Sequence, residues 1–94
     1  MKFQYTEKKV KLPEKVHAYA EKKVTKLDRY FNSETEAVIA FSTEKNLNKV
    51  ELTLHAASTY FRASEATSDM FASIDAAVTS IERQIRKYKT RLAR

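Results

Sequence analysis

The chain has no cysteine, no glycine and no tryptophan, and a single proline in its 94 residues. Without cysteine there is no disulfide, no thiol nucleophile and no thiolate-ligated metal, and a reducing compartment is the direct inference. Without glycine, P-loops and dinucleotide fingerprints are ruled out, because both need a residue lacking Cβ where backbone meets phosphate. Long apolar runs are missing as well: no window approaches about 18 consecutive apolar residues, so nothing reads as a membrane-spanning helix. The opening stretch, MKFQYTEKKV, holds no apolar segment of a secretory signal. The expected location is the cytoplasm.

What is present is charge of one dominant sign. Lys and Arg number 18 against 12 Asp and Glu, for a formal net charge of +6 and a pI of about 9.6. Such a balance speaks of partners rather than fold and favours nucleic acid or an anionic surface. At 43% hydrophobic and 32% charged residues, the composition is that of a globular chain, not a disordered one. No linker, repeat or low-complexity tract divides it, so residues 1–94 read as one domain.

The hydrophobic spacing orders the elements. Lys2–Thr6 alternates, with Phe3 and Tyr5 on one side, and predicts a short strand. Pro13 and Glu14 suit the first turn of a helix, and Val16, Ala20, Val24, Leu27 and Phe31 form a stripe that carries it to Phe31, where Asn32-Ser33 stops it. Three strands follow. Ala37–Thr43 turns Ile39 and Phe41 one way; Val50, Leu52, Leu54 and Ala56 alternate with Glu51, Thr53, His55 and Ala57; Tyr60–Ala66 offers Phe61 and Ala63. The connections are short enough for hairpins, with Asn46 or Asn48 expected to take any positive φ. Ser68 is the expected N-cap of a second helix reaching Leu92, with the stripe Phe71, Ile74, Val78, Ile81, Ile85, Tyr88 and Leu92. The order β-α-β-β-β-α predicts an α+β two-layer sandwich: a four-stranded sheet with two helices on one face, and the first helix as the crossover between parallel strands.

At about 100° per residue, the helical charges segregate. In the second helix Arg83, Lys87 and Arg94 lie opposite the apolar stripe, Arg86 and Arg91 sit to either side, and Lys89 lies nearer the core boundary. In the first, Lys15, Lys22, Lys26 and Arg29 point away from the stripe, Lys23 takes one flank, and Glu14, Glu21 and Asp28 the other. A face built for solubility intersperses acids with bases; here six cations after residue 82 stand against Glu82 alone. Arginine in that number suits bidentate phosphate contact. Nucleic acid is therefore the expected partner. RNA is favoured over DNA, since no helix-turn-helix or zinc module is evident and double-stranded RNA domains read shape and phosphate from comparable basic faces. A membrane partner is disfavoured, because the apolar stripes are needed for the core.

Catalysis finds little support. His17, solvent-facing or flanking its helix stripe, and His55, on the open sheet face, have no metal-ligand spacing with a partner, and no metal or other cofactor is implied. Glu34/Glu36 and Asp69/Asp75 are explained by loop solvation and capping, and nothing resembles a nucleophile elbow. The rival to RNA binding is an interaction or dimerisation module using the long second helix or an exposed sheet edge; that helix keeps a spacing of about 3.5 residues, also that of a coiled-coil seam. Covering the sheet is the simpler use of that stripe.

Three stretches carry a family resemblance: KLDRYF (26–31), ASEATSDMFASID (63–75) and ERQIRKYKTR (82–91). Together they resemble the ribosome hibernation-promoting factor family, also labelled sigma-54 modulation proteins, over essentially the whole chain. The resemblance implies a β-α-β-β-β-α fold similar to the double-stranded RNA-binding domain. It also implies binding in the small-subunit channel between head and body, where messenger and tRNA sites are occluded in stationary phase or stress. It maps the family's basic positions onto Lys23, Lys26, Arg83, Lys87, Lys89 and Arg91; helix facing adds Lys22, Arg29 and Arg86. The implied partners are small-subunit rRNA and neighbouring ribosomal proteins, with the domain itself a monomer. Two departures stand out: Glu7 where members often have Gly after the first strand, and Pro13 where they have Thr. The tail is most similar to the N-terminal domain of long members, whose extra C-terminal domain pairs ribosomes.

Overall fold

In the computed structural model, which describes residues 1–92, seven elements follow one another: β1 (Lys2–Lys8), α1 (Glu14–Thr25), a 3-10 turn (Lys26–Tyr30), β2 (Glu36–Glu44), β3 (Leu47–Ala56), β4 (Thr59–Thr67) and α2 (Met70–Leu92). The sheet order is β1-β2-β3-β4, with β1 parallel to β2 and both other pairings antiparallel. The predicted α+β sandwich is therefore the observed one. Leu92's side chain and Arg94, both assigned by periodicity to helix faces, lie outside the described residues.

Period-two alternation puts Ala37, Ile39 and Phe41 of β2, Val50, Leu52, Leu54 and Ala56 of β3, and Phe61 of β4 on one face of the sheet, all buried. Val16, Ala20 and Val24 of α1, Leu27 of the 3-10 turn, and Met70, Ile74, Ala77, Ile81 and Ile85 of α2 close over that face. The other face is open, with Val38 and Tyr60 exposed. Two buried polar side chains sit at the rims of this core, and both are satisfied. Ser73 donates to the Asn48 carbonyl at 2.6 Å and accepts from the Thr67 amide at 3.1 Å, so the start of α2 is tied to β3 and β4. Thr35 donates to the Asp28 carboxylate.

Both helices start at the end of the sheet where β1 and β2 finish, and both run back antiparallel to those strands. On α1 this is fixed by His17 Nε2, 2.6 Å from Glu7 Oε1, and by the Tyr5 hydroxyl, which donates to Glu21. Tyr5 is pushed above the ordinary phenol range, by burial first and then by that carboxylate. His17 is thus a half-buried partner of β1, stacked on Tyr5 with centroids 4.8 Å apart, rather than a side chain merely flanking the stripe.

Five further local expectations are corrected. The first helix does not run unbroken to Phe31. After Thr25 it tightens into the 3-10 turn, and Phe31 is extended (φ −133°, ψ 145°), its ring 6.0 Å from Phe61. The stripe spacing alone cannot register this, since a turn of three residues preserves the i+3 and i+4 neighbours over so short a run. Pro13 caps α1 rather than lying in its first turn, its extended backbone accepting the Val16 amide at 3.0 Å. Asp69, not Ser68, caps α2: its Oδ1 accepts the Phe71 amide at 3.0 Å, and a carboxylate there satisfies an orphan donor while meeting the positive helix end. Positive φ falls at Lys9, Lys45, Ala57 and Ser58, not at an asparagine. The Ala57-Ser58 turn needs φ > 0 at both residues because that twist matches the flanking strands. The strand also runs on through Glu7 to Lys8, so the reversal after β1 falls at Lys9.

Candidate nucleic-acid interface

The helices lie side by side, and their seam is polar at the surface. The Tyr19 hydroxyl of α1 donates to both Asp75 oxygens of α2, at 2.8 and 2.9 Å, and its ring meets Phe71 edge-on at 4.9 Å. That carboxylate raises the Tyr19 hydroxyl above the usual phenol value, chiefly through the hydrogen bond. Further along, Tyr30 donates to Glu82 Oε2 at 2.8 Å, and Arg29 Nη2 reaches the same oxygen at 2.7 Å. The Tyr30 hydrogen bond is the main reason that Glu82 is held below the ordinary carboxylate range; partial burial opposes it, and Arg29 and Arg86 assist.

Around this seam the cations spread. Lys22, Lys26, Arg83, Lys87, Lys89 and Arg91 are exposed, and Lys23 is half-buried with its ammonium 5.4 Å from the Tyr19 ring centre. Lys89 sits 5.0 Å over the Phe31 ring, at the core boundary where its helical angle placed it. Among the described residues, none of these seven has an acid within ion-pair distance. Two of the nine predicted cations do. Arg29 is bound at 2.7 Å to Glu82, and Arg86 lies 3.8 Å from the other Glu82 oxygen. The 3-10 turn is what brings Arg29 onto α2 instead of straight into solvent. Its side chain remains 61% exposed, so one carboxylate tethers two guanidiniums without hiding them.

The surface is grooved. A cleft of about 250 Å³ between the helices is lined by Lys23, Lys26 and Arg29 on one wall and Asp75, Val78, Thr79 and Glu82 on the other. A second, open concavity of about 500 Å³ follows α2 alone, between Arg83, Arg86, Lys87, Thr90 and Arg91. Seven of the nine predicted residues line these two concavities, and Lys22 and Lys89 lie outside them. Cations there also complement the negative helix ends. Sequence reasoning passed over Glu82, Tyr19 and Tyr30 as the residues that hold the two halves together. Only Glu82 left a trace, four residues before Arg86.

The α2 stripe that a coiled coil would need is spent on the sheet: Ile74, Ile81 and Ile85 are at most 1% exposed. No helix among the described residues is long and apolar enough to cross a membrane.

The pattern of the family described as Sigma 54 modulation protein / S30EA ribosomal protein matches residues 3–93. The chain belongs to that family. The ribosome hibernation promotion factor of Lactococcus lactis subsp. cremoris (strain MG1363) is 42% identical over 98 residues, covering 100% of this chain and 52% of that protein. Its counterpart in Staphylococcus aureus (strain COL) is 39% identical over 82 residues, covering 84% of this chain and 43% of that protein. The chain therefore spans about half the length of the curated relatives it matches. Among solved structures, the Thermus thermophilus Protein Y N-terminal domain superposes with a TM-score of 0.88 at 26% identity, over 94% of this chain and 99% of that one. A ribosomal subunit interface protein from Coxiella burnetii, at 22% identity and a TM-score of 0.83 over 96% and 99% of the two chains, shares the fold. The fold and family expected from the three sequence stretches are those found.

Proposed function

We propose that this domain is a ribosome-associated translation inhibitor of the hibernation type, acting in the cytoplasm without catalysis. It holds small-subunit rRNA through the cationic surface of α1 and α2 and so blocks the messenger and tRNA sites during stress or stationary phase. The observation that carries this reading is the set of exposed cations at Lys22 of α1, Lys26 of the 3-10 turn and Arg83, Lys87, Lys89 and Arg91 of α2, none with an acid in ion-pair range among the described residues. Neutralising phosphates with such a surface releases counterions, and that release supplies affinity without any base readout. The names of the relatives above, ribosome hibernation promotion factors, agree with a ribosomal target. Arg29 and Arg86, fanned by Glu82, present two planar donors at the helix seam for the same backbone.

Co-sedimentation with small subunits across a salt series tests it. Binding is expected to weaken by about 0.7–0.9 log units per log unit of salt for each phosphate bound. The Lys26→Glu/Arg83→Glu/Lys87→Glu variant is expected to remain in the supernatant. Pelleting of that variant at the wild-type level would overturn the reading.

A further inference from the structure

The helix surface is not the only cationic concavity. At the opposite end of the sheet, where β1 and β2 finish and β3 begins, an open cavity of about 500 Å³ is lined by Lys8, Lys9, Lys45 and Lys49, with Leu47 in its wall and Glu44 as the one acid on its lining. These lysines come from three places in the sequence: the end of β1, the turn after it, and the β2–β3 hairpin. The register sets two of them in one row across the sheet, Lys8 opposite Ser42 and Ser42 opposite Lys49. Lys49 is held 3.0 Å from Glu51. Among the described residues, Lys8, Lys9 and Lys45 have no carboxylate within ion-pair distance.

Backbone conformation adds a second observation. Lys9 and Lys45 both occupy the left-handed region, with φ of 61° and 57°. A residue with a Cβ is disfavoured there, because the Cβ crowds the following carbonyl oxygen. Asparagine is cheaper at such positions, and Asn46 stands next door, yet lysine occupies both of them. Leu47 is 50% exposed beside them, an apolar surface with no protein partner among the described residues. No residue that lines this cavity also lines either concavity of the helix surface, so the two cationic groups are separate.

We propose that this cavity is a second RNA-backbone site, in which Lys8, Lys9 and Lys45 receive phosphates of a strand distinct from the one lying on the helices, while Leu47 supports its sugars. The inference rests on the reading of the helix surface as an RNA interface, since it gives the domain a second grip on the same target. Lysine suits it: a mobile point charge accepts phosphates in many geometries, where arginine demands a matched pair of oxygens. With one grip at each end, the domain would bridge two rRNA segments across its 45 Å long axis.

The test compares three proteins on small subunits over a salt series: wild type, Lys8→Gln/Lys9→Gln/Lys45→Gln, and the helix triple reversal. The hairpin-end variant is expected to pellet at low salt but with a shallower slope of log K against log salt, by about 0.7–0.9 for each phosphate it no longer neutralises. An unchanged slope, with binding abolished in the helix variant, would overturn this site alone. Wild-type binding in both variants would also remove the reading it rests on. Weaker affinity at constant slope would mean a protein occupant and would equally overturn it. As a check needing no variant, acetylation of Lys8, Lys9 and Lys45 in the wild-type chain is expected to slow several-fold on ribosomes; equal rates free and bound would refute the proposal.

Discussion

Glu82 does two jobs that its neighbours cannot share. It accepts from Tyr30 and Arg29, joining the 3-10 turn to α2, and it lies within reach of Arg86, so both guanidiniums are aimed from one point. Its depressed pKa makes that link pH-dependent, and the sign follows directly. A carboxylate bound more tightly in the folded state contributes stability above its ordinary value of 4.5, and the contribution is lost as pH falls through the lower folded value. Wild type is therefore expected to lose more melting temperature than Glu82→Gln between about pH 6 and pH 3, with the two curves parallel above that range. Thermal melts followed by circular dichroism would check this, and identical pH profiles would dismiss the link. Arg29's exposure was legible from its angle in the sequence. Its pairing was not, because the partner lies 53 positions away and the intervening 3-10 turn changes the angle at which the side chain leaves the backbone.

Among the elements, α2 is the one that both core and surface depend on. Its buried face closes the sheet, its outer face bears five of the nine cations assigned to RNA, and its start is anchored by Ser73 and capped by Asp69. Removing the cap takes away the side-chain acceptor of the Phe71 amide, so Asp69→Ala is expected to cost about 1 kcal/mol of unfolding free energy. Urea denaturation would show this as a lower midpoint with an unchanged slope. Sequence reasoning puts the cap one residue early because Ser68 and Asp69 are both good capping residues, and periodicity locates a helix end only to within a residue or two. The stripe itself is close to the expected one. Ile74, Ile81 and Ile85 are fully buried, while Phe71, Val78 and Tyr88 lie at its margin and Met70, Ser73 and Ala77 share the core with it. Small and polar residues at helical spacing send little hydrophobic signal, which is why the true centre of the stripe is displaced from the expected one.

At the scale of the whole molecule, the formal charge of +6 includes two cationic groups that share no lining residue. The helix cations assigned to RNA gather toward the helix ends, and the hairpin-end lysines lie at the end of the sheet where the helices begin. Sites this far apart, with no shared partners, act independently. Combining the hairpin-end substitutions with a milder helix variant, Lys87→Gln alone, is expected to reduce the salt slope by the sum of the two separate reductions. Titration of small subunits at several ionic strengths measures it; a combined slope well short of that sum would mean the two groups serve one strand of RNA, not two.

The order of elements, the inward faces of the strands and both helices, and the segregation of basic side chains to the outer helix faces were all settled by residue spacing. Each of these depends only on a side chain's direction about its own strand or helix axis, which local geometry dictates. Tertiary structure alone decided that Arg29 would meet Glu82, that Lys8, Lys45 and Lys49 would line one cavity, and that lysines would take the left-handed turns. Those outcomes hinge on how separate elements dock and in what register the strands pair, and no periodicity within a single element encodes the distance to another.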